Sequence, residues 1–216
     1  GNIIKDNYCY GIWLDNNYTG ARVTQNIIHH NRDRGLFLEM GAGPALVDNN
    51  IISSTRKGVW GRYRDRKGKR NYLGTGIYSH DAGGFTIANN FIYNNEGFGI
   101  YSKIVSDRLG VIPIANVKII NNIIVHNKEG ALSLPFDGEH AWNNYCQYNI
   151  FGSPNKFYIN TYGGSRNNAD GQLDKIRKTV ENQISSGEYT IKEQEAVVLS
   201  LKQWQKVMKW DTKSIN

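Results

Sequence analysis

One tripeptide recurs through most of this chain and restricts its possible folds more than any other feature. Asn2-Ile3-Ile4 returns as Asn26-Ile27-Ile28, Asn50-Ile51-Ile52, Asn90-Phe91-Ile92, Asn122-Ile123-Ile124 and Asn149-Ile150-Phe151. The first two intervals are 24 residues, and the later ones of 40, 32 and 27 read as the same unit with insertions. A second motif follows in phase: Gly11-Ile12-Trp13-Leu14-Asp15, Gly35-Leu36-Phe37-Leu38-Glu39, Gly58-Val59-Trp60-Gly61-Arg62, Gly76-Ile77-Tyr78-Ser79-His80 and Gly99-Ile100-Tyr101-Ser102-Lys103. Gly130-Ala131-Leu132-Ser133-Leu134 is a fainter sixth copy. Short β-prone runs at a fixed period of this size belong to a solenoid whose units stack and bury a shared core. A leucine-rich repeat lacks its leucine framework here, and a β-sandwich would not repeat one motif in phase. The expected architecture is an all-β, right-handed parallel β-helix with a short, partly helical C-terminal segment. Coils span 1–165, with insertions near 61–75 and 104–116, and a polar, helical extension spans 166–216. Asn26, Asn50, Asn90 and Asn122 are expected to stack in one turn and bond amide to amide.

Composition narrows the function classes. The chain has 216 residues, 39% of them hydrophobic, with 13 Tyr, 5 Trp and 7 Phe. No run is long and apolar enough to cross a bilayer. The chain opens inside a repeat, as an excerpt of a larger protein would, and a homo-oligomer stays open as a partner. The net charge of +7 attracts phosphate in principle, but its excess sits in the Arg56–Arg70 stretch and the C-terminal tail without a nucleic-acid motif. The stretch reads as a solvated basic loop. Cys9 and Cys146 lie several coils apart and are not expected to bond. His29-His30 sit in a turn without a third metal ligand. Ser200 reads as an N-cap, with Leu201, Trp204, Val207 and Met208 on one apolar helix face that docks on the solenoid.

Strand alternation assigns the faces. Positions one and three after each Gly are aliphatic or small and face the interior. Positions two and four face outward: Trp13, Phe37, Trp60, Tyr78 and Tyr101 in one column, Asp15, Glu39, Arg62, His80 and Lys103 in the next. Exposed aromatics beside charges suit sugar stacking and hydrogen bonding. Asp15 and Glu39, one coil apart, are expected on neighbouring strands ~4.8 Å apart, with carboxyls about 5–6 Å apart. That separation matches retaining glycosidases, whose two carboxyls lie ~5–5.5 Å apart, rather than inverting enzymes. Arg62 is expected on the coil after Glu39, and His80 two coils beyond it. Like charge from Asp15 is expected to keep a proton on Glu39.

The residues Gly11 to Asp15, Ala21-Arg22-Val23-Thr24-Gln25-Asn26, Leu36 to Glu39 and Gly43-Pro44-Ala45-Leu46-Val47-Asp48-Asn49-Asn50-Ile51 together resemble glycoside hydrolase family 120, the β-helical β-xylosidases. The resemblance covers roughly residues 10 to 55. It implies Asp15 as nucleophile and Glu39 as acid/base, no cofactor or metal, an oligosaccharide or polysaccharide substrate, no nucleic-acid or membrane partner, and a secreted or periplasmic location. Trp13, Phe37, Trp60, Arg62, Tyr78 and His80 are the expected substrate contacts. This chain has Asn16 where the family often has Trp, and Gly41-Ala42 where it often has Asn-His. Two other readings stay open. One is a polysaccharide lyase using Lys103 or Arg62 as base, and the other is a non-catalytic carbohydrate-binding solenoid.

Overall fold

The computed structural model describes residues 1–58, 73–104, 114–136, 142–161, 169–185, 188–192 and 196–216. The expected insertions fall largely outside them, as do Trp60, Arg62 and the basic run to Arg70.

Three parallel sheets run the length of the coil stack. The Asn-Ile-Ile copies form the first sheet: β1 (Ile3–Lys5), β4 (Ile27–His29), β7 (Ile51–Ser53), β10 (Phe91–Tyr93), β13 (Ile123–Val125) and β16 (Ile150–Phe151), in that order. The glycine motif forms the second: β2 (Ile12–Asp15), β5 (Arg34–Glu39), β8 (Thr75–His80), β11 (Phe98–Lys103), β14 (Gly130–Pro135) and β17 (Phe157–Asn160). The third contains β3 (Ala21–Thr24), β6 (Ala45–Asp48), β9 (Phe85–Ala88), β12 (Lys118–Ile120) and β15 (Tyr145–Gln147). Every neighbouring pair within these coils is parallel and in register, as in Ile3 beside Ile27 and Ile27 beside Ile51. Period-2 alternation then sends Ile28, Ile52, Ile92 and Ile124 into the interior, all fully buried. Each such burial stabilises the fold by ~2 kcal/mol.

The turns that join the sheets are fixed by two amide ladders. In the first, Asn26 donates Nδ2–H to Asn50 Oδ1, Asn50 to Asn90 and Asn90 to Asn122, each at 3.0 Å, and Asn122 to Asn149 at 3.1 Å. The residues just before these asparagines, Gln25, Asn49, Asn89, Asn121 and Tyr148, have φ between 54° and 60°, a left-handed bend that the three asparagines adopt more readily than Gln25 or Tyr148. Sequence reading missed the second ladder, in which Asn7 donates to Asn31 and Asn95 to Asn127, both at 2.8 Å. Thr55, whose backbone N–H donates to Asn95 Oδ1 at 3.0 Å, takes the place of an asparagine there.

Glycine recurs at the start of the second-sheet strands because adjacent coils come too close for a side chain. A Cβ on Gly35 would lie 2.6 Å from the Gly76 carbonyl oxygen and 2.8 Å from Ile52 Cγ2. The sixth copy departs from this pattern: Gly130 pairs with Phe98, and Leu132 with Ile100, so Ala131 rather than Gly130 continues the glycine row.

The C-terminal segment closes one end of the stack. Helix α1 (Ala169–Glu181) leads to β18 (Thr190–Lys192) and β19 (Ala196–Leu199), and β19 joins β17 antiparallel. Helix α2 (Leu201–Met208) begins with Ser200 in a capping box with Gln203, and buries Leu201, Trp204, Val207 and Met208. The Trp204 ring packs 5.5 Å from Phe157. Beyond it the chain imitates one more coil: Ser214 Oγ accepts from Asn149 N at 2.8 Å, and Asp211 Oδ1 accepts from Asn149 Nδ2 at 3.0 Å. The first amide ladder therefore ends on partnered groups rather than on an orphaned asparagine. Cys9 and Cys146 are both free thiols.

Candidate active site

The second sheet presents its variable face outward. In register, Asp15 lies beside Glu39, Glu39 beside His80 and His80 beside Lys103. Asp15 and Trp13 are exposed at the end of the sheet, and Glu39 and His80 are partly covered. Both carboxylates point away from the coil interior, where Leu14, Leu36 and Leu38 pack. The register sets their two strands side by side, ~4.8 Å apart.

The register corrects two expectations. Strand β8 pairs directly with β5, so the residue following Glu39 in the column is His80 and not Arg62. The 40-residue interval from Asn50 to Asn90 is therefore one coil. His80 is consequently one strand from Glu39, not two. Its Nε2 lies 2.7 Å from Glu39 Oε1, with only 18% of the histidine side chain and 13% of the glutamate exposed, which shields the pair from water. Trp13 Nε1–H donates to the other oxygen, Oε2, at 2.9 Å. The Tyr78 hydroxyl lies 3.3 Å from His80 Nδ1. Glu39 is thus held from both sides, by donors on both neighbouring strands.

These contacts set its charge state. Burial, the largest single influence, pushes the Glu39 carboxyl up. The His80 hydrogen bond and charge, the Trp13 hydrogen bond and the Arg34 guanidinium together outweigh burial and hold it below its ordinary value. Glu39 therefore rests ionised, contrary to the expectation that Asp15 keeps it protonated.

The aromatic column behaves differently from its expected role. Trp13 is 50% exposed, whereas Phe37 is 3% and Tyr78 1% exposed. In-register rings cover one another. Trp13 stacks on Phe37 at 5.8 Å with planes 7° apart, and Tyr78 stacks on Tyr101 at 5.8 Å. Phe37 and Tyr78 belong to a second small core with Phe98, Tyr101 and Tyr158. They support the face instead of offering ring faces to a sugar, so Trp13 is the described aromatic open to a ligand at this pair.

Two contributors were missed in the sequence. Arg34 places its guanidinium 4.3 Å from the Tyr78 ring centroid, 4.6 Å from Phe37 and 4.8 Å from Tyr10. It also pairs with Asp33 Oδ2 at 3.0 Å. Tyr10 meets Trp13 and Phe37 edge-on at 5.4 and 5.3 Å. Each directly precedes the motif glycine, so extending the motif one residue upstream finds both.

The turn after Glu39 is closely packed. A Cβ on Gly41 would lie 2.3 Å from Tyr18 Cε1, and the Tyr18 hydroxyl lies 2.8 Å from the carbonyl oxygens of both Gly41 and Gly83, to which its one proton can be donated in turn. The wall here is Tyr18 and backbone, with no room for a side chain at position 41.

Elsewhere, His29 and His30 approach through their Nδ1 atoms at 2.7 Å, without a third ligand among the described residues.

Residues 1–172 match the family model described as a right handed beta helix region, while no curated protein and no solved structure gives a match. Coil stacking, sheet order and this match together place the chain in the right-handed β-helix family.

Proposed function

We propose that this β-helix cleaves glycosidic bonds by a retaining double displacement, with Asp15 as nucleophile and Glu39 as acid/base. The observation that carries the reading is the register pairing of Asp15 with Glu39 on one outward face. In the first step Asp15 attacks the anomeric carbon, the bond to the leaving oxygen breaks, and Glu39 gives that oxygen its proton. In the second step water attacks the same carbon, the ester to Asp15 breaks, and Glu39 takes the proton of the water. A sugar seated over the pair adds to the burial that already raises Glu39, moving it toward the protonated form needed first. Trp13 supplies an apolar platform for a sugar ring. The resemblance over residues 10 to 55 favours a β-xyloside and a secreted or periplasmic setting.

A panel of aryl glycosides with the full-length protein tests this reading, with the anomeric configuration of the first product followed by NMR. Turnover with retained configuration supports it, and inverted product contradicts it. A lyase reading rests on Lys103, one strand past His80 on the same face. It predicts unsaturated products absorbing in the ultraviolet from uronate polymers. Sugar binding without turnover, unaffected by Glu39→Gln, would instead mark a binding solenoid.

A further inference from the structure

We infer that His80 is a positioning residue that holds Glu39 and governs when it gains and loses its proton, with Tyr78 orienting the imidazole. The inference deepens the glycosidase reading and rests on it for its kinetic consequence, but its physical core stands on geometry alone. His80 Nε2 meets Glu39 Oε1 at 2.7 Å, Trp13 Nε1 meets Oε2 at 2.9 Å, and Tyr78 O meets His80 Nδ1 at 3.3 Å. A neutral ring satisfies both of its contacts by donating from Nε2 to the carboxylate and accepting the Tyr78 proton at Nδ1. A protonated ring keeps the Glu39 contact and adds a positive charge. The His80 ring is also fixed edge-on against Phe37 at 5.1 Å. Buried packing thus sets the orientation of the imidazole, and the imidazole sets the orientation of the carboxylate.

The groups facing Glu39 can be named from each side. Trp13 and Asp15 face it from β2, His80 and Tyr78 from β8, and Arg34 from its own strand, with Lys103 one strand beyond His80. Burial opposes the ionised form of Glu39, while His80, Trp13 and Arg34 favour it. The His80 contact therefore opposes the first chemical step, in which Glu39 must donate a proton. It assists the second, in which Glu39 must accept one from water. The arrangement suits an acid/base group that is quick to return to its base form.

Carbon-13 NMR titration of the Glu39 carboxyl in the full-length protein tests the inference independently of turnover. The midpoint should move up in His80→Ala, and less in His80→Gln, which keeps an N–H donor but cannot carry the charge. An unmoved midpoint in folded His80→Ala and His80→Gln proteins overturns the inference, even if glycosides are hydrolysed. Where they are, the basic limb of kcat/KM should move up in the same order. Deglycosylation should slow, by up to about 100-fold if the carboxylate loses its orientation, giving a burst of leaving group. A shifted midpoint without any turnover keeps the positioning role and sinks the glycosidase reading instead. An acidic limb that moves in place of the basic one overturns the acid/base assignment of Glu39 while confirming its coupling to His80.

Discussion

The outer faces of the first and second sheets follow the same coil period and the same alternation, yet they carry opposite kinds of sequence. Outward positions on the first sheet read Ile3, Ile27, Ile51, Phe91, Ile123 and Ile150, nearly one residue type repeated, with exposures of 38–41% from Ile27 onward. The corresponding positions on the second sheet read Asp15, Glu39, His80 and Lys103, changing at every coil. A stack of identical side chains is what in-register strands favour, because each residue packs on its own kind above and below. A stack that changes at each level forgoes that regularity and must satisfy each charge separately, as the Trp13, Glu39, His80 and Tyr78 contacts do. The repetitive face serves the fold, and the variable face is where chemistry can be placed.

Substitutions on the two faces should separate these roles. The largest effect is expected from Glu39→Gln, which should lower kcat/KM by about 10²–10⁴-fold while leaving a cooperative native fold. Equal losses of activity and of folded protein would erase the distinction between the faces. Next comes Asn90→Ala in the amide ladder. Asn90 accepts from Asn50 N and Nδ2 and donates to the Val47 and Ala88 carbonyls, so its loss strands several buried groups. Denaturant unfolding should show a cost of roughly 3 kcal/mol, with any surviving native protein retaining its activity per molecule.

The acid side of the stability curve sharpens the comparison further. Glu39 is held below its ordinary value in the folded chain by a balance of burial, which opposes, and of His80, Trp13 and Arg34, which prevail. Its stabilising contribution is therefore fully present above the unfolded carboxyl value and is lost as pH falls through the folded one. Unfolding midpoints should decline on acidification through that window, and less steeply in His80→Ala. An identical acid profile in the variant would show that the pair contributes nothing to folding. The smallest effect is expected from Ile51→Thr on the repetitive face. A half-exposed position should cost less than ~1 kcal/mol, and glycoside turnover should not change. A marked loss of activity would show that the first sheet also meets substrate.

The solenoid was legible in the sequence because in-register stacking repeats the same residue at the same angular position, and asparagine at a turn is hard to replace. The helix beginning at Ser200 was legible for a comparable local reason, a cap followed by an apolar stripe. Where spacing stretched, legibility failed. Gly58 repeats the motif glycine in sequence, yet β8 is the strand that pairs with β5, and only strand pairing reveals it. Arg62 was consequently assigned a neighbour that belongs to His80. Alternation correctly sent Phe37 and Tyr78 outward but could not show that stacked rings and Arg34 would cover them. Thr55 hid the second ladder by interrupting its run of asparagines.

The most direct measurement of the central claim is covalent trapping. The full-length protein would be treated with a 2-fluoro glycoside bearing a good leaving group, and the labelled peptide mapped by mass spectrometry. Retaining chemistry at the Asp15–Glu39 pair predicts a stoichiometric label on Asp15, slowed in Glu39→Ala and restored toward turnover by azide with an activated substrate. A label on Glu39, or steady hydrolysis with no label and inverted product, would contradict it.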